Sequence, residues 1–134
     1  MLDLLQVRRA LESEAAAGAA RDATADAKRA LRAALDTAEG ILATGDIDAY
    51  ARADIDFHTE LVAASGNPLL IEIYSGVLEV MHRSHADIAG LSVAANAHPA
   101  GHRDVVAAID AGDEQAARAA VVDYLAEAEG SVRR

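Results

Sequence analysis

The strongest constraint on this chain is its punctuation. Thr44-Gly45-Asp46, Ser65-Gly66-Asn67-Pro68 and Gly112-Asp113 each set a glycine that can end one helix beside an Asp or Asn that can cap the next. Asn67-Pro68 adds proline at the first helical position, and His98-Pro99 repeats that cap-plus-proline pattern. Links this short make consecutive helices double back on each other. The chain is therefore expected to be an all-α antiparallel bundle of about six helices. Composition supports this: 52% of residues are hydrophobic but only 3% aromatic, so the core must be built from Ala, Leu, Ile and Val. Alanine-rich segments poor in Gly, Pro and aromatics favour helix over strand.

The expected helices cover residues 2–17, 24–43, 46–65, 68–89, 99–111 and 114–129, with a loop at 90–97. Gly18-Ala19 reads as the end of the first, and Asp22 or Thr24 as the cap of the second. Apolar residues recur at steps of three and four in each. The stripes include Leu4, Leu5, Arg8, Leu11 and Ala15; Leu31, Leu35 and Ala38; Leu70, Ile73/Tyr74, Val77 and Met81; and Ala117, Val121, Tyr124/Leu125 and Ala128. At 134 residues this is one domain, residues 1–134, with no sign of a second.

Charge and residue types narrow the function classes. Lys and Arg total 12 against 22 Asp and Glu, a net charge of −10, which repels phosphate backbones and makes the chain by itself a poor nucleic-acid binder. There is no cysteine, so any metal would rest on His, Asp or Glu. No signal peptide or membrane span is evident, and the default location is the cytoplasm.

The chemistry concentrates where polar side chains interrupt apolar stripes. In the third helix the stripe runs Ile47, Tyr50/Ala51, Asp54, His58, Leu61/Val62, placing Asp54 and His58 four residues apart on one face. A buried carboxylate and imidazole must be satisfied by each other, by a partner or by a metal. His102 shares a stripe with Val105/Val106 and Ile109, and Tyr124 lies on the stripe of the last helix. Two donors four apart on one helix, completed from facing helices, is how bundles hold metals in their cores. Zinc, nickel, manganese or iron would suit such donors, and a structural Asp54–His58 hydrogen bond is the competing reading.

Several stretches resemble one known family. They are Val-Arg-x-x-Leu-Glu (7–12), Asp-x-x-Phe-His-x-x-Leu (54–61), Ala-Ser-Gly-Asn-Pro-Leu-Leu (64–70), His-x-x-Val-x-x-Ala-Ile (102–109) and Ala-Gly-Asp-x-x-x-Ala-Arg (111–118). In this order they resemble the C-terminal effector-binding (FCD) domain of FadR-subfamily GntR-type transcription regulators. The resemblance implies a helical bundle with a central cavity holding a divalent metal and a small organic-acid effector. It also implies a homodimer that changes the DNA binding of a winged helix-turn-helix preceding the domain. A chain starting at Met1-Leu2-Asp3 is expected to lack that DNA-binding part.

Carried over by position, the resemblance puts metal ligands at Asp54, His58 and His102. The fourth family position, typically His, falls on Tyr124, and Gly101 stands where a Glu often precedes the third ligand. Tyr124 either hydrogen-bonds a metal-bound water or the effector, ligates weakly as phenolate, or marks a metal-free pocket of the acyl-sensing type. Arg8 matches a family arginine and could clamp the effector's carboxylate; its competing role is an ion pair with Glu12 on the helix surface. Tyr124, Asn67 and His85 complete the candidate effector contacts, with capping as the other reading of Asn67 and a solvated face as that of His85. A purely structural dimerisation module is a further alternative. An open three-ligand metal could also activate water, but no extra inward carboxylate or nucleophile motif accompanies it, so the chain is read as a non-enzyme.

Overall fold

In the computed structural model of the protein, residues 2–84 and 100–133 are described. Among them are six helices and no strand: α1 Leu2–Asp22, α2 Ala25–Thr44, α3 Ile47–Ala64, α4 Pro68–Arg83, α5 Ala100–Asp110 and α6 Glu114–Arg133. The expected all-α architecture is the one that forms. The anticipated extension of α4 to residue 89, the loop at 90–97, the cap at His98-Pro99 and the candidate contact His85 lie outside the described residues.

The punctuation works as read. Gly45, Gly66 and Gly112 take positive φ angles of 79°, 66° and 71°, the left-handed backbone that lets each helix end tightly. Asp46 then accepts from Ala49 N–H, Asn67 from Leu69 and Leu70 N–H, and Asp113 from Ala116 N–H. Thr24 caps α2 by accepting from Ala27 N–H.

Gly18 does not end α1. The helix runs through it to Asp22 and stops only where Thr24 turns extended. This glycine marks close packing: a Cβ built on it would lie 3.6 Å from Ser65 Cβ, where α1 runs against the end of α3. That spacing is ordinary van der Waals contact. Gly18→Ala is therefore expected to stabilise the chain by about 0.5–1 kcal/mol through helix propensity, read by urea unfolding. A clear loss would show that the approach tolerates no methyl.

α1 is the most enclosed element, packing on α6 most extensively and also on α3, α5 and α4. Its run Ala15–Ala20 is buried throughout, and these small side chains let the neighbours come close. The expected doubling-back fails after α1: α1 and α2 do not pack together despite their two-residue link, and α2 lies against α3 and α5 instead. Ile73, expected inward, is 52% exposed, while Tyr74 beside it takes the buried position. On α6 every expected inward residue, from Ala117 to Ala128, is buried. Among the described residues, no helix is long and apolar enough to cross a membrane.

One apolar cluster joins α1, α2, α3, α5 and α6 around Leu5, Phe57, Leu61, Ile109 and Leu125. A second joins α1, α3 and α4 around Ile55, Val62, Tyr74 and Met81. The inward polar side chains come from these same helices.

Candidate functional site

Asp54 and His58 lie one turn apart on α3, His102 comes from α5 and Tyr124 from α6, and all four are buried. Asp54 Oδ1 is 3.0 Å from His102 Nε2 and 3.5 Å from His58 Nε2, and the two Nε2 atoms are 3.3 Å apart. The Tyr124 hydroxyl donates to Asp54 Oδ1 at 3.3 Å and stands 3.4 Å from His58 Nε2. Four polar atoms from three helices thus converge on one point. The aromatic rings brace them: Phe57 meets His58 edge-on with centroids 5.2 Å apart, and Tyr124 stacks on His58 at 5.3 Å.

These spacings suit a cation. Ligands held about 2.1 Å from a tetrahedral ion stand roughly 3.4 Å from one another, and adjacent ligands of an octahedral ion about 3.0 Å. The separations of 3.0–3.5 Å cover that range. Asp54, His58 and His102 together offer one carboxylate oxygen and two imidazole nitrogens, a set able to hold a metal ion.

A second polar layer lies behind His58, and sequence reasoning missed its centre. Glu12 of α1 is 0% exposed. One of its oxygens, Oε2, accepts from Arg8 Nε–H at 2.7 Å and from the Tyr74 hydroxyl at 2.7 Å. The other, Oε1, forms a close ion-pair contact with His58 Nδ1. That nitrogen makes no contact with hydrogen-bond geometry, so the approach is electrostatic rather than a well-aligned bond. The Arg8–Glu12 pair exists, as the four-residue spacing allowed, but it is buried rather than on the helix surface. The available signal was Arg8 itself: an arginine on an apolar stripe carries its i+4 partner towards the interior.

The electrostatics follow from the packing. Burial would push the Asp54 carboxyl up, yet the charge of His58 and a hydrogen bond from His102 bring it well below the ordinary carboxylate value. Burial opposes ionisation of Glu12 too, but Arg8 and His58 prevail and lower it to about 2. For His58, burial pulls down and Arg8 repels, while Glu12 and Asp54 outweigh both and raise it. Burial, then the Asp54 charge, push the Tyr124 phenol well above its ordinary value. Without a metal, Tyr124 therefore stands in the cluster as a neutral hydroxyl.

Of the other candidates, Arg8 reaches the second layer through Glu12. Asn67 sits exposed at the start of α4 as its cap. His82 and Arg83 are exposed. A groove of about 400 Å³ between α1 and α4 is lined by Leu4, Val7, Ile73, Val77 and Val80, and another between α2 and α3 by Ala33, Thr37, Asp56 and Glu60. Neither is the central cavity expected around the four converging side chains.

The FCD domain family profile matches residues 3–127. Among solved structures the chain is similar to Streptococcus agalactiae GntR, with a TM-score of 0.79 and 23% sequence identity, covering 96% of this chain and 57% of that one. At that identity the likeness is one of fold, and the chain spans little more than half the length of its solved relative. No curated protein sequence matches it significantly.

Proposed function

Since this chain belongs to the FCD domain family, we propose that it is the ligand-sensing part of a GntR-type transcription regulator of the FadR kind, acting as a homodimer. In this reading Asp54, His58 and His102 hold a divalent ion of the zinc, nickel or manganese class. A small carboxylate metabolite binds at or beside it, within reach of the Tyr124 hydroxyl. The ion supplies a fixed positive charge for the ligand's carboxylate. The helices carrying the donors then shift relative to one another, and that change passes to a winged-helix DNA-binding domain. The observation that carries the proposal is the convergence of Asp54 Oδ1, His58 Nε2 and His102 Nε2 at metal-ligand spacing in the buried interior.

A second reading has its own support. The same side chains already contact one another, and Glu12, Arg8 and Tyr74 extend the network. Such a buried network can fix the packing of five helices with no ligand at all.

Elemental analysis of wild type beside His58→Ala and His102→Ala separates the two. The sensing reading expects a stoichiometric divalent ion in wild type, lost in both variants. It also expects thermal stabilisation by a dicarboxylate or hydroxy acid, about 2.7 kcal/mol at a hundredfold excess over its dissociation constant. A wild type that takes up no metal on reloading, and that no organic acid stabilises, would leave the structural network as the function of these residues.

A further inference from the structure

We infer that Glu12 is the positioning residue for His58, turning the imidazole so that Nε2 faces Asp54 and His102, and that Arg8 and Tyr74 hold Glu12 in place for this. The inference rests on the metal reading above and deepens it.

An imidazole ring presents Nδ1 and Nε2 on opposite sides, so whatever engages Nδ1 sets where Nε2 points. Flipping the His58 ring by half a turn would exchange Nδ1 for a carbon and withdraw Nε2 from the cluster. Glu12 Oε1 faces Nδ1 and favours the unflipped ring, because the carboxylate would otherwise meet C–H. Glu12 is itself held: Arg8 Nε and the Tyr74 hydroxyl bond Oε2, Arg8 Nη2 reaches Oε1 at 3.5 Å, and Oε1 faces His58 Nδ1 more closely than it does Arg8. Arg8 and Glu12 belong to α1, Tyr74 to α4 and His58 to α3, so three helices meet behind this one ring. If Glu12 served only to neutralise Arg8, its Oε1 would face Arg8 Nη2 more closely than His58 Nδ1, and the reverse holds. Carboxylates behind ligating histidines orient the ring and raise its basicity, and losing one typically weakens metal affinity about 10- to 100-fold. On this assignment Arg8 acts through Glu12 on the site, rather than directly on a ligand.

The test is zinc affinity, by competition with a chromophoric chelator, for wild type, Glu12→Gln and Tyr74→Phe, with circular dichroism as the check on folding. Glu12→Gln keeps the side chain's shape and removes its charge, and its zinc affinity is expected to fall about 10- to 100-fold. Tyr74→Phe frees one bond to Oε2 and is expected to weaken zinc in the same direction by less. It serves as the readout if Glu12→Gln does not fold. Unchanged affinity in folded variants would overturn the inference. If wild type binds no zinc, the metal reading fails, and nitrogen NMR of the His58 ring in the metal-free protein decides the role of Glu12. At a pH where the ring is neutral, the proton is expected on Nδ1 in wild type and to move towards Nε2 in Glu12→Gln. A tautomer indifferent to that substitution would overturn the inference.

Discussion

Arg8→Ala is expected to destabilise the protein by about 3–5 kcal/mol, the penalty for leaving a buried charge without its partner. Glu12 has no route to water, and its strongest bond is from Arg8 Nε at 2.7 Å. Removing the guanidinium leaves the carboxylate with His58 and the Tyr74 hydroxyl only, and also empties the space that the arginine's methylenes fill. The double variant Arg8→Met/Glu12→Leu should recover part of the loss, because two apolar side chains of similar volume need no mutual compensation, while the Tyr74 hydroxyl and His58 lose Glu12 as a partner. Urea unfolding of Arg8→Met, Glu12→Leu and the double variant provides the cycle. A single-variant loss well under 1 kcal/mol would mean that Arg8 is spare from the fold, and would return it to the role of a carboxylate clamp.

The second large effect is on pH. In the metal-free protein, stability against denaturant should form a dome with its top between the ordinary glutamate and histidine values, 4.5 and 6.5. Glu12 is lowered to about 2 in the folded state, because Arg8 and His58 outweigh its burial. Its contribution is complete above 4.5 and is lost as pH falls towards 2. Asp54, also lowered, adds to the same acid limb. His58 acts in the opposite sense: its folded value is raised, so its contribution is complete below 6.5 and is lost as pH rises through that folded value. Glu12→Gln should flatten both limbs, since Glu12 titrates in one and supports His58 in the other. A wild-type profile that is flat from acid to mildly alkaline pH would contradict the coupling that the distances imply.

What could be read from the sequence was local. A glycine followed by Asp or Asn is a backbone event within a few residues, and Gly45-Asp46, Gly66-Asn67 and Gly112-Asp113 behave as their chemistry requires. The stripe of α6 was equally legible, because its period of three and four extends over the whole helix. Asp54, His58, His102 and Tyr124 were found by the reverse signal, polar groups where that period demands apolar ones. Glu12 was not, because a glutamate one turn from an arginine has a complete surface explanation, and only packing against α3 and α4 replaces it. Gly18 failed for a related reason: its meaning depends on Ser65, 47 positions away, and not on its own neighbours. The failure of α1 to pack on α2 likewise depends on partners that no short window contains.

The pairing of α1 with α6 sets an order of events during synthesis. Arg9 bonds Glu129 and Arg21 bonds Glu114 across sequence separations of 120 and 93 residues. A ribosome therefore releases the alanine-rich side of α1 long before the helix that covers it exists. Until α6 emerges, Leu5, Ala16 and Ala19 are left without much of their partner surface. Contacts so distant along the chain slow folding relative to a bundle closed by neighbours. A nascent chain stalled before residue 114 should thus be recognised by chaperones through α1, which is made before α2 to α6 and is among the last of them to be shielded from water.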